Sequence, residues 1–208
     1  MNTVDRKGIA LIICAPSGAG KTTLTKRLLS EFPRFVFSVS YTTRPPRPHE
    51  VHGKDYYFVT KEEFSNLINE NYFAEWATVH GNYYGTPLQN TINTLADGND
   101  ILFDVDVQGA RQIKASLKNL GRYVFVLPPS RRVLEQRLRS RGTDSDEVIA
   151  RRLSVVTKEI ADAPLFDCVI INDDIKTAYD ELRSAYIAAT LAPVCRSHFL
   201  NDLLKQWS

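Results

Sequence analysis

Four short apolar runs set the rhythm of this chain, at residues 9–14, 100–107, 122–127 and 168–171. Their length and β-branched content predict buried strands. Each is followed by a segment whose apolar positions recur at helical spacing. The first run breaks into a small-residue turn and a helix over 21–31 that ends before Pro33. A helix over 91–97 stops at Gly98, and the second run then leads to a helix over 111–117. Behind the third, Pro128 and Pro129 give way to two arginine-rich helices, 130–141 and 146–161, around Gly142. Asp144, Asp146 and Glu147 suit the start of the second of these. The fourth run opens through Asn172, Asp173 and Asp174 into a helix over 176–190. Such alternation predicts a parallel α/β sheet with a phosphate site at its strand ends.

Between 38 and 86 that rhythm fails. A short strand over 35–40 enters a stretch holding Pro45, Pro46 and Pro48, which forbid regular structure and stiffen a loop. Residues 56–59 read as a strand, and Thr60 with Glu63 forms a capping box for a helix reaching about residue 71. A hairpin follows, with Gly81-Asn82 at its turn. The insertion predicts a separate small lobe, residues 38–87. Around it lies a core built from 1–37, 88–129 and 162–208.

Composition alters this picture little. With 208 residues the chain can bury a sizeable core, and its 43% hydrophobic content is that of an ordinary globular protein. A net charge of +2 implies no general affinity for nucleic acid. Cys14, Cys168 and Cys195 lack metal-ligand spacing and read as buried free thiols in a reducing, cytoplasmic setting. No apolar run approaches membrane-spanning length. His49 and His52 are three apart, but no further His or Cys accompanies them.

The candidate chemistry is concentrated after the first strand. Ala15-Pro16-Ser17-Gly18-Ala19-Gly20-Lys21-Thr22-Thr23 fits the phosphate-loop pattern except at its first position, where Ala15 must accept an ordinary backbone conformation. Glycines let successive N–H groups turn inward, and the helix N-terminus adds partial positive charge. Lys21 would reach the nucleotide's β- and γ-phosphates, and the Thr22 hydroxyl would ligate Mg²⁺. In the insertion, Arg44 and Arg47 on a proline-stiffened loop, with Ser40, Tyr56 and Tyr84, read as a receptor for a small anion. Glu75, between Ala74 and Trp76, is expected partly buried. It would need donors from a base edge such as guanine's or from a nearby arginine, and residue chemistry leaves both open. Asp104 and Asp106, two apart on the second strand, should share a face and hold Mg²⁺ or a ligand donor. Among the arginines behind the third strand, some are solvated and others could close over phosphates. The terminal stripe of Phe199, Leu200, Leu203, Leu204 and Trp207 is expected to dock on the chain's own core, with an oligomer contact as the alternative.

These motifs together resemble the guanylate kinase family, over residues 9–187. The carriers are A-P-S-G-A-G-K-T-T-L, S-V-S-Y-T-T-R-P-P-R-P-H-E-V-H-G-K-D-Y, E-W-A-T-V-H-G-N-Y-Y-G-T, D-V-D-V-Q-G, R-L-R-S-R-G-T and I-N-D-D. The resemblance implies an α/β fold with a P-loop NTPase-type parallel sheet core flanked by helices. It also implies an inserted mixed α+β GMP-binding lobe and a helical lid over 130–161. The implied reaction is Mg²⁺-dependent, reversible phosphoryl transfer from ATP to GMP. By the same resemblance, Ser40, Arg44, Arg47, Tyr56 and Tyr84 match positions at the GMP phosphate, with Glu50 on the same loop. Glu75, Thr86 and Asp106 match those at guanine. Lys21 and the lid arginines Arg137, Arg141 and Arg152 match those at the nucleotide phosphates, Asn172 lies beside adenine, and Asp104 near the metal. Partners other than ATP and GMP are not implied, neither nucleic acid nor membrane, although a homodimer or higher homo-oligomer stays open. His49 stands where glycine is usual.

Overall fold

The computed structural model describes residues 6–79, 81–140 and 145–207. Its core is a five-stranded, wholly parallel sheet in the order β2 (Phe35–Val36), β7 (Asp100–Asp104), β1 (Ala10–Cys14), β8 (Gly121–Leu127), β9 (Cys168–Ile171). Every residue of β1 is buried, as a central strand covered on both faces must be. Alternate side chains divide the core in two. Leu11 and Ile13 pack with Leu24, Leu28, Tyr179 and Leu182 under helices α1 (Lys21–Glu31) and α7 (Ile175–Thr190). Ala10, Ile12 and Cys14 pack with Leu95, Phe103 and Ile113 under α3 (Leu88–Ala96) and α4 (Val107–Leu117). The sheet, with helices on both faces, is the α/β core expected.

The insertion forms a second sheet in the order β4 (Tyr57–Phe58), β3 (Tyr41–Thr42), β6 (Asn82–Pro87), β5 (Phe73–Val79). One pairing is parallel and two are antiparallel. Thr60 caps α2 (Lys61–Asn69) by the reciprocal box with Glu63. The strand expected over 35–40 shrinks to two residues, and two-residue β3 forms just ahead of the prolines. The hairpin pairs Val79 with Asn82, which puts Asn82 in the strand rather than in the turn expected, and Gly81 has φ 78°. Helix α3 begins three residues early, directly from Pro87.

Two further helices, α5 (Arg131–Arg139) and α6 (Asp146–Ala161), carry their own apolar cluster of Leu134, Leu138, Ile149, Leu153 and Val156. Arg141, Gly142 and Asp144, named above, lie outside the described residues. The terminal helix α8 (Ser197–Trp207) buries no residue. Phe199 is 47% exposed, Leu204 69% and Trp207 83%, so the stripe expected to dock on the core does not do so. Its apolar period was sufficient to make a helix but specified no surface to receive it.

Candidate active site

At the end of β1 the backbone turns through Gly18 and Gly20, both at φ 94°, and α1 starts with Gly20 as N-cap and no side-chain cap. The amides of Lys21 and Thr22 therefore have no side-chain cap, while Thr23 N–H donates to Gly20 O at 3.2 Å. A Cβ on Gly20 would stand 2.1 Å from Asn172 Nδ2, and one on Gly18 would stand 3.0 Å from Leu134 Cδ1. Both glycines therefore serve close packing as well as positive φ. Ala15 keeps a negative φ, as its place in the loop requires. Lys21 Nζ is ion-paired with Asp104 from the C-terminal end of β7.

Asp106 corrects the sequence expectation. Strand pairing stops at Asp104, and Asp106 instead caps α4, its Oδ1 accepting from Gly109 N–H at 2.8 Å. A carboxylate able to satisfy a free helix amide ends the strand early. The two aspartates do not share a strand face. They nevertheless line the same cavity, of about 390 Å³, with Ser40, Tyr56, Glu75, Tyr84 and Thr86. Glu75 Oε1 accepts from Thr86 Oγ1 at 2.7 Å. Burial pushes the Glu75 carboxyl above its usual range; the Thr86 bond opposes this, and the charge of Asp106 adds to it.

Arg44 sits beside this cavity with its guanidinium 5.6 Å from the Tyr56 ring centre. It donates to Glu50 Oε1 at 2.8 Å, while Glu50 Oε2 accepts the Arg47 backbone N–H at 2.7 Å. Glu50 thus braces the proline loop and holds Arg44, whose proton is bound more tightly through Glu50 and then Tyr84. The Arg47 side chain is exposed and does not line the cavity. His49 adopts φ 77°, a left-handed conformation that explains why glycine would suit its position.

The arginine helices reach the phosphate loop from the other side. Arg152 Nη1 donates to Ser17 Oγ at 3.0 Å. Arg137 Nη2 donates to Asn172 O at 2.9 Å, and Asn172 Nδ2 donates to Ala19 O at 2.7 Å. Asn172 is buried, with its amide N–H groups turned to the loop. Arg137 Nη1 is buried without a partner among the described residues, which suits a donor awaiting an anion.

The guanylate kinase family model matches residues 7–189. The chain belongs to the guanylate kinase family. It is 63% identical to a protein of Nitratidesulfovibrio vulgaris named guanylate kinase, over 98% of both chains. A guanylate kinase of Oleidesulfovibrio alaskensis is 59% identical over 97% of this chain and 98% of its own. The crystal structure of guanylate kinase from Anaplasma phagocytophilum superposes with a TM-score of 0.66 at 31% identity, covering 92% of this chain and 90% of that one. The family model stops near the end of α7, yet the first two alignments run over 204 and 202 residues, so most of the tail is shared with those relatives.

Within this guanylate kinase chain, two residues near the site went unread in the sequence. Glu159 on α6 carries a carboxyl raised by burial and by Asp106 and lowered by Lys21. It lies two helical turns beyond Arg152, a spacing that could have flagged it. Gln112 on α4 binds the backbone of Trp76, next to Glu75.

Proposed function

We infer that this chain is a guanylate kinase that transfers the γ-phosphoryl group of ATP to GMP, giving ADP and GDP. What carries the reading is the juxtaposition of a phosphate loop, with Lys21 held at Asp104, and a facing cavity in which Glu75 and Thr86 are hydrogen-bonded. Ala15 to Thr23 would cradle the ATP phosphates. Glu75, Thr86 and Asp106 would accept and orient the guanine edge, whose N1–H and 2-amino donors match a carboxylate. Ser40, Arg44, Tyr56 and Tyr84 would hold the GMP phosphate, with Glu50 as brace and Arg47 swinging in from solvent. A GMP phosphate oxygen then bonds to the γ-phosphorus in line as the bond to the β,γ-bridging oxygen breaks, and ADP leaves with that oxygen.

Thr22 and Asp104 fit a hard divalent cation, being exposed and half-exposed oxygen donors beside the loop. Magnesium held there would neutralise charge between the β- and γ-phosphates. Lys21, Arg137, Arg152 and Arg141 would stabilise charge on the transferring group. Helices α5 and α6, with a core of their own, would move as a lid over residues 130–161, and the 38–87 lobe would close towards them, excluding water.

The test is a coupled assay of ADP release with Mg·ATP and each of GMP, dGMP, AMP, CMP, UMP and dTMP. Fast turnover with GMP and little with the others is expected. Lys21→Met should lower kcat by at least about 10³-fold with an unchanged Tm. ATP binding without turnover of any monophosphate would overturn the assignment in favour of a non-catalytic binding module.

A further inference from the structure

Strand β5 is the edge of the lobe's sheet, yet its outer side is not left to solvent. An edge strand exposes the N–H and C=O of every second residue. Here those groups of Trp76 meet a side chain from the core. Trp76 N–H donates to Gln112 Oε1 at 3.0 Å, and Gln112 Nε2 donates to Trp76 O at 2.9 Å. A carboxamide presents one acceptor and one donor side by side, so it completes the strand as a neighbouring peptide group would. One turn further along α4, the Ser116 hydroxyl donates to Ala74 O at 3.1 Å. The strand is therefore bonded to α4 at the residues on either side of Glu75.

Helix α4 begins at its other end with Asp106, whose carboxylate lines the cavity that Glu75 enters. One rigid helix thus holds both walls of the candidate base site: Asp106 through the chain, and Glu75 through Gln112. Glu75 itself lies on the opposite side of β5's pairing, opposite Thr86 in β6. Its carboxylate position depends on the β5 backbone staying in register with α4.

We propose that Gln112 is a positioning residue for monophosphate selection, setting the distance between Glu75 and Asp106 by completing the edge of β5. This rests on the GMP-kinase reading. A residue with this role affects GMP far more than ATP, because the phosphate loop makes no use of the tie.

Two variants separate the hydrogen bonds from the volume. Gln112→Met keeps the length and removes both bonds. Gln112→Glu keeps the acceptor for Trp76 N–H but faces Trp76 O with a second oxygen. In both, KM for GMP should rise about five- to tenfold while KM for ATP stays within about twofold, and the kcat/KM preference for GMP over AMP should fall by a similar factor. In both, hydrogen exchange at the Trp76 amide should report the tie directly, accelerating in Gln112→Met more than in Gln112→Glu. Unchanged GMP kinetics in Gln112→Met would overturn the proposal. So would parallel increases in both KM values with a lowered Tm, which is the pattern of general loosening. A wild-type protein that does not phosphorylate GMP would overturn the activity assignment and this inference with it, whereas active wild type with indifferent variants overturns this inference alone.

Discussion

Glu75 accepts a hydrogen bond from Thr86 within a cavity that strips away most of its water, and Asp106 adds a second negative charge nearby. Burial raises its folded-state carboxyl above the value it has in the unfolded chain. Between those two values the native state binds the proton more tightly, so stability falls as pH rises through the window, and the full penalty is present above it. A base edge supplying two donors would offset that cost; an empty site bears it. Glu75→Gln should therefore raise the ligand-free Tm at neutral pH by about 1–4 °C. The gain should vanish below about pH 4, where the carboxyl is protonated in both states. Preference for GMP over AMP should meanwhile drop about 10- to 100-fold, because a carboxamide oxygen cannot accept two donors as a carboxylate does. Scanning calorimetry at both pH values, alongside the kinetics, checks this. A neutral-pH Tm below wild type would show that Glu75 stabilises the empty fold.

At the scale of elements, Asp100 ties the N-terminal segment, β7 and α7 together. Its fully buried carboxylate accepts Arg6 Nη1 at 2.9 Å, Arg6 Nη2 at 2.7 Å, Ile9 N–H at 2.8 Å and Tyr186 O–H at 2.6 Å. Asp100→Asn leaves the half-buried Arg6 charge uncompensated and should cost about 3–5 kcal/mol, read as a lower urea midpoint at unchanged m-value. A loss below 1 kcal/mol would mean that solvent already screens the pair. Elements such as β8, β9 and α6 were legible because apolar period, Ser or Asp caps and proline stops are local signals. The end of β7 was not. Its apolar run continues through Val105 and Val107, but the Asp106 side chain satisfies Gly109 N–H and converts the run into a helix start. Asp100 drew no separate notice, since Arg6 and Tyr186 are brought to it only by tertiary packing. The glycine turn after β1 and the helix start at Lys21 were legible because all their parts lie within nine residues. Gln112 escaped because its partner is a backbone 36 positions away.

On the scale of the whole molecule, the terminal helix presents an apolar face that the core does not cover. Helix α8 keeps its period but leaves Phe199 and Leu200 nearly half exposed and Leu204 and Trp207 more so. Just before it, Cys195 is buried and Lys7 N–H donates to Cys195 O at 2.8 Å, closing the N-terminal segment onto the chain that leads to the tail. The boundary between essential and dispensable structure should therefore fall at Arg196, not at the end of α7 where the family model stops. Removing residues 197–208 takes away no buried side chain among the described residues and no residue of the candidate site, so Tm should change by less than about 2 °C and kcat by less than about twofold. Removing residues 190–208 strips out Cys195 with its bond to Lys7 and opens the packing over Ile9 and Tyr186, which should cost at least about 3 kcal/mol. Paired melting curves of the two truncations decide the point. A large loss already at the shorter deletion would mean that the apolar face of α8 is covered in solution, and sedimentation of the full chain would then show whether a second copy covers it.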